Sequence, residues 1–193
     1  MNKSSMFKVL ILFVLTLSSV ATSRAAEFNK KSSIMLYSDT LDLTKEMFKT
    51  TPLANKYEIC TYFYFYYKIE QDSVIMNVYS SMDGNRSNPC KECRFEKWLL
   101  QHELYHFKIT EVWARIFSSK ISGKRIKKSK FTKYLRKQYE VHCEYLFSMQ
   151  DLYDLETNHS KIKGKQKEWE QKIDQLLDKY KKYANKNVSI KLK

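Results

Sequence analysis

Glycine and proline are scarce in this chain, with three and two residues among 193. That scarcity excludes collagen-like repeats and Gly/Pro-rich low-complexity segments. No second Cys-x-x-Cys accompanies Cys90-Lys91-Glu92-Cys93, which argues against a zinc ribbon. No clear βαβ pattern surrounds that pair, which argues against a thioredoxin-like redox motif. No apolar run reaches the roughly 20 residues of a membrane-spanning helix, and no internal repeat is visible. Histidine is also scarce, at four residues. What is present, 43% hydrophobic and 15% aromatic residues, excludes a disordered polar chain. The length suits one medium-sized domain with a real core.

Lys3 and Lys8 introduce an apolar run from Val9 to Leu17, and small residues follow. This is the layout of a secretory signal peptide. Cleavage after Ala21 or after Ala25 each places small residues at both recognition positions. The expected organisation is a signal peptide over 1–25, a single domain over 26–185 and a basic C-terminal tail over 186–193. The product would be periplasmic or extracellular. An even number of cysteines in an exported chain fits two disulfides. Proximity suggests Cys90 with Cys93 and Cys60 with Cys143.

The formal net charge is +14, and removing Lys3, Lys8 and Arg24 leaves +11 (14 − 3). Export disfavours a nucleic-acid partner. The lysines concentrate at 120–137 and 161–193, on stretches that read as solvated helix faces. The charge is therefore a surface property, one that would give peripheral affinity for anionic envelope surfaces.

Residues 33–37 form a short β-like run, and 59–67 and 74–79 are dense in strand formers. Glu70-Gln71-Asp72-Ser73 reads as the hairpin turn between the latter two. Cross-strand packing explains the aromatic run better than a binding platform does. From Phe95 the period becomes helical, with Phe95, Trp98, Tyr105, Ile109, Trp113 and Ile116 on one face, and Ser122-Gly123 ends the helix. Further helices are predicted over 129–149 and 164–183. Strands first and helices afterwards make the class α+β.

The first helix contains His102-Glu103-Leu104-Tyr105-His106. Positions i and i+4 lie about 40° apart around the axis and one turn apart along it, so both imidazoles can reach one ion. The intervening Glu can reach a water on that ion without ligating it and serve as general base. Chance produces such a pattern in a chain with four histidines at below about one per cent. Two histidines flanking the middle of an apolar face, with Glu103 between them, are also hard to place without a metal. A catalytic zinc usually has three protein ligands and an open position. Glu111 is about 180° round from His102, and Val112 stands where the compact three-histidine motif has its last His. His142, His159, Glu140, Glu144, Asp154 and Glu156 remain as candidates for the third ligand. The polar stretch from Tyr153 to Ser160 could fold back over the first helix, with Asp154 or Glu156 orienting an imidazole. Tyr153 is a candidate oxyanion donor.

Three regions give the chain a likeness. They are residues 34–98, running from aromatic strands to a helix; the run from Leu100 to Arg115; and Tyr153-Asp154-x-Glu156-Thr157-x-His159, with Gln166 and Trp169 downstream. Together they resemble the bacterial family catalogued as domain of unknown function 922, described as predicted secreted zinc-dependent proteases. The likeness covers roughly 34–175. It implies a zincin-like domain with His102, His106 and His159 as zinc ligands and Glu103 as the catalytic base. Lys108 stands where that family has Asp, and Ser160 where it has Gly.

The function these features imply is a secreted zinc-dependent hydrolase, a metallopeptidase cleaving peptide or protein substrates. Two alternatives are a non-catalytic, zinc-stabilised envelope binding protein and a zinc amidase acting on cell-wall peptides.

Overall fold

The computed structural model describes residues 34–48, 58–88, 90, 96–184 and 187–193. The expected leader over 1–25, Cys93 and Phe95 lie outside them. Among the described residues the elements run β1 (Ile34–Leu36), β2 (Thr61–Glu70), β3 (Ser73–Asp83), α1 (Glu96–Ile121), β4 (Arg125–Ile126), α2 (Phe131–Thr157), α3 (Lys163–Lys179) and β5 (Asn187–Leu192). The class is α+β, with strands leading and helices following.

β3 is the spine of the sheet. β2 pairs with it antiparallel along its length, from Thr61↔Met82 to Glu70↔Ser73. The hairpin turn falls at Gln71-Asp72, with Gln71 in the left-handed region at φ 51. Two strands share the other flank of β3: β5 pairs with Ser73–Asn77 and β1 with Ser81–Asp83. β4 adds to β5 in parallel. Strict alternation sends Val74, Met76, Val78, Phe63, Val188, Ile190 and Leu192 into the main core. Each such side chain, fully buried, contributes roughly 1.5–3 kcal/mol. On the opposite face Tyr64 stacks on Tyr79 at 5.6 Å and meets Tyr66 edge-on at 5.5 Å. The aromatic run therefore packs across strands, ring against ring, rather than as a coplanar platform.

The segment expected to be a basic tail is mostly strand β5. Asn187, Ser189 and Lys191 are exposed while Val188, Ile190 and Leu192 are buried. Backbone pairing and three buried apolar side chains outweigh the polar composition.

α1 is a central helix rather than one with a single apolar face. Thr110, Glu111, Arg115 and Ser118 are buried along with Phe107, Ile109, Val112 and Phe117. The buried charges are tolerated because they are paired. Arg115 Nε donates to Glu111 Oε1 at 2.7 Å, Nη1 to the Leu177 carbonyl at 2.9 Å and Nη2 to Asp39 at 2.9 Å. Ser80 Oγ of β3 donates to the other Glu111 oxygen. Burial lifts the Glu111 carboxyl above its ordinary value despite these partners. The network joins α1 to the sheet, to the turn after β1 and to the end of α3. Gly123 closes α1 at φ 68 and donates to the Ser189 carbonyl at 2.8 Å.

α2 is longer than predicted. The helix expected to end at Met149 continues through 150–157 as its last two turns, taking in most of the stretch expected as a 153–159 loop, and these turns carry Gln150, Tyr153 and Asp154. Asn158, His159 and Ser160 then follow one another at positive φ, 47, 48 and 71. His159 N–H donates to the Asp154 carbonyl and Ile162 N–H to that of Thr157, at 3.0 and 2.8 Å. Each non-glycine residue held there costs about 1–2 kcal/mol.

Cys60 and Cys143 are free and buried, so the expected bridge between them is not formed. Cys143 belongs to the main core on α2, whereas Cys60 sits before β2 with its N–H on Ser87 Oγ at 2.9 Å. Burial pushes the Cys143 thiol up to about 11. Cys90 is disulfide-bonded.

Candidate metal centre

A second apolar cluster, containing Tyr37, Leu43, Ile59, Met82, Leu104 and Phe107, anchors the first half of α1. Helical spacing does the rest for His102 and His106. Both are buried, one turn apart, with their Nε2 atoms 3.2 Å apart. α2 runs antiparallel alongside and brings Asp154 to the same point. Asp154 Oδ1 lies 3.0 Å from each Nε2.

Among the described residues, His102, His106 and Asp154 form the group whose ligand atoms all lie within 4.8 Å of one another. This group can hold a metal ion. Zinc bound to N and O donors at about 2.0–2.1 Å in a tetrahedron separates those donors by roughly 3.3 Å. The observed separations of 3.0, 3.0 and 3.2 Å are near that value.

His159 falls outside that group but touches it. Its Nδ1 is 3.2 Å from the same Asp154 oxygen, and its side chain is 54% exposed. His142 is elsewhere, inside the core against Trp113 and Phe117, with Nδ1 on the Gln138 carbonyl at 2.6 Å. Glu156 accepts from Trp169 Nε1 at 2.8 Å and ties α2 to α3. Glu140 and Glu144 face solvent. Glu103 is buried on the sheet side of α1 and accepts the Ile59 N–H at 3.1 Å.

Two further residues fix the imidazoles, and of these the sequence singled out only Tyr153, as an oxyanion donor. Gln150, one turn before Asp154, donates from Nε2 to the His106 carbonyl at 2.9 Å and to Thr110 Oγ1 at 3.2 Å. Its Oε1 therefore faces His106 Nδ1 and accepts from it. With the proton on Nδ1, Nε2 is the nitrogen aimed at Asp154. Tyr153 is the second. It is fully buried, stacked on His102 at 4.6 Å and edge-on to His106 at 4.9 Å. Its hydroxyl points to the His102 carbonyl at 3.5 Å, so it is floor rather than oxyanion donor. His102 Nδ1 has no hydrogen-bond partner, so ring stacking does the orienting there.

The electrostatics follow from these contacts. Burial pushes His102 down to about 4, against the pull of Asp154. Burial also opposes charge on His106, but Asp154, Glu103 and Gln150 prevail and raise it to about 9. Burial would raise Asp154, yet its bonds to His102 and His106 hold it well below the usual carboxylate range. Asp154 is thus an anion between two imidazoles.

Gln150→Leu removes the acceptor for His106 Nδ1 and should weaken zinc binding about 10–100-fold. Gln150→Glu still accepts there but loses the donation to the His106 carbonyl, so it should restore only part of it. Competition against a chromophoric chelator measures both.

No family model, curated protein or solved structure matches this chain.

Proposed function

We propose that the protein is an exported, zinc-dependent hydrolase of peptide bonds, with Glu103 as its general base. One observation carries this: two imidazole nitrogens and a carboxylate oxygen converge within 3.0–3.2 Å, next to a buried Glu in the i+1 position of the same helix. The His102/His106/Asp154 donor set, two nitrogens and one oxygen, suits zinc among divalent ions. A bound zinc supplies Lewis acidity, polarising an amide carbonyl and making water a better nucleophile at neutral pH.

The chain's own residues do the remainder. His102 and His106 present Nε2, held by Tyr153 and Gln150. Asp154 adds a negative donor. Glu103 takes a proton from the attacking water and returns it to the leaving amine. His159 stands on the solvent side of Asp154, where it can add a further donor or meet the substrate.

His159 also supports a second proposal. Four protein donors would close the coordination shell, as in structural zinc sites. The protein would then be a zinc-stabilised envelope binding protein without catalysis. Incubating the zinc-loaded protein with a mixed peptide library and identifying new termini by mass spectrometry separates the two. Cleavage that a chelator abolishes and zinc restores supports the hydrolase. Intact peptides in the presence of stoichiometric zinc support the binding protein.

A further inference from the structure

The end of the molecule away from the metal ligands carries a different feature. Nine lysines and arginines fall within residues 120–137, and no Asp or Glu occurs between Glu111 and Glu140. All nine are exposed. The fold adds two more. β4 pairs Arg125 with Lys191 of β5, Lys128 N–H donates to the Lys193 carbonyl at 3.0 Å, and Lys193 N–H donates to that of Ile126 at 3.0 Å. The end of α1, strands β4 and β5 and the first turns of α2 thus form one basic pole. The nearby acids are few. Asp72 lies where its carbonyl accepts from Leu192 at 2.7 Å, and Glu70 is paired with Lys68.

An apolar residue stands at the same pole. Ile69, near the end of β2, is 51% exposed. Two residues earlier, Tyr67 packs on Phe131, the first residue of α2, at 5.4 Å. Ile69 is therefore one strand step beyond the contact that joins β2 to the basic segment. The aromatic rings at this end are used internally. Phe131 is buried and Tyr134 packs against the core, so neither is offered for stacking on nucleic-acid bases.

We propose that this pole is a docking surface for an anionic phospholipid bilayer, with the lysines meeting the headgroups and Ile69 entering the interface. Exposed lysines sharing a pole with one exposed aliphatic side chain match a charged surface with an apolar layer beneath it. The metal ligands sit in the first half of α1. From His106 to Ile121 the helix rises about 22 Å. A docked molecule would hold its metal ligands no farther than about that distance from the basic end of α1.

Sedimentation with vesicles of phosphatidylcholine alone, or containing one-third phosphatidylglycerol, tests this. Anionic vesicles should bind the chain far more tightly than neutral ones, and added salt should reverse the binding. A lysine near such a surface is worth roughly fivefold in affinity, so replacing Lys127, Lys128, Lys130 and Lys133 by Gln should weaken binding by about 600-fold. Ile69→Ser should weaken vesicle binding severalfold and leave binding to a soluble polyanion such as heparin unchanged. Equal binding to both vesicle types overturns the proposal. So does vesicle binding that the lysine replacements leave intact. An Ile69→Ser variant indistinguishable from wild type on vesicles, with heparin binding the chain more tightly than vesicles do, would assign the pole to an acidic polymer instead. Zinc binding by the lysine variant should match wild type, which separates this test from that of the metal centre.

Discussion

Glu103→Gln should lower chelator-sensitive peptide cleavage by about 10²–10⁴-fold, the usual contribution of a positioned general base. Zinc affinity should change little, because Glu103 is not among the converging donors. The amide oxygen of Gln can still accept the Ile59 N–H that the carboxylate accepts at 3.1 Å, so the packing beside β2 survives. What disappears is basicity. Rate, zinc stoichiometry and melting temperature measured on the same preparation separate these contributions. A variant that cleaves as fast as wild type removes Glu103 from the chemistry. A variant that fails to fold makes it a structural residue.

The second large effect is on stability. Arg115→Leu should destabilise the fold by about 3–5 kcal/mol, because it leaves one partner of a buried pair uncompensated. Arg115 donates three hydrogen bonds, to Glu111, to the Leu177 carbonyl and to Asp39, and Glu111 accepts a further one from Ser80. Glu111 would remain buried with Ser80 as its partner from that set. Replacing Glu111 and Arg115 together by apolar residues should cost much less than Arg115→Leu alone. Urea unfolding of the two single variants and the double variant gives the coupling directly. Additive losses would mean that the pair is not energetically coupled.

The parts of this protein legible in its sequence are those with a short, fixed period. The hairpin of β2 and β3 shows as alternation around Gln71-Asp72, and α1 shows as a helical repeat ending at Gly123. His102 and His106 are recognisable because an i, i+4 pair forces both rings to one side of a helix. Asp154 has no such constraint. Its position depends on α2 continuing two turns beyond Met149, through a stretch whose Asp, Glu, Thr and Asn suggest a loop. A faint signal was available, since Leu146, Tyr153 and Thr157 keep a helical spacing and all three are buried. Gln150 could not be found from sequence, because its role arises only where α2 crosses His106. β5 was open to recognition: Asn187-Val188-Ser189-Ile190-Lys191-Leu192 alternates strictly, but its setting among lysines pointed to a tail. The buried Glu111 and Arg115 show the limit of hydrophobic patterning, since a paired charge can occupy the core side of a helix.

Zinc titration of wild type, Asp154→Ala and His159→Ala decides whether His102, His106 and Asp154 hold the ion. One tightly held ion per wild-type chain is the expected result. Loss of a ligand should exceed the effect of losing an orienting residue, so Asp154→Ala should weaken binding by more than about 100-fold. His159→Ala should stay within about tenfold of wild type. A folded wild-type protein that takes up no zinc, or an Asp154→Ala variant that binds it as tightly, would mean that these residues are not a metal centre.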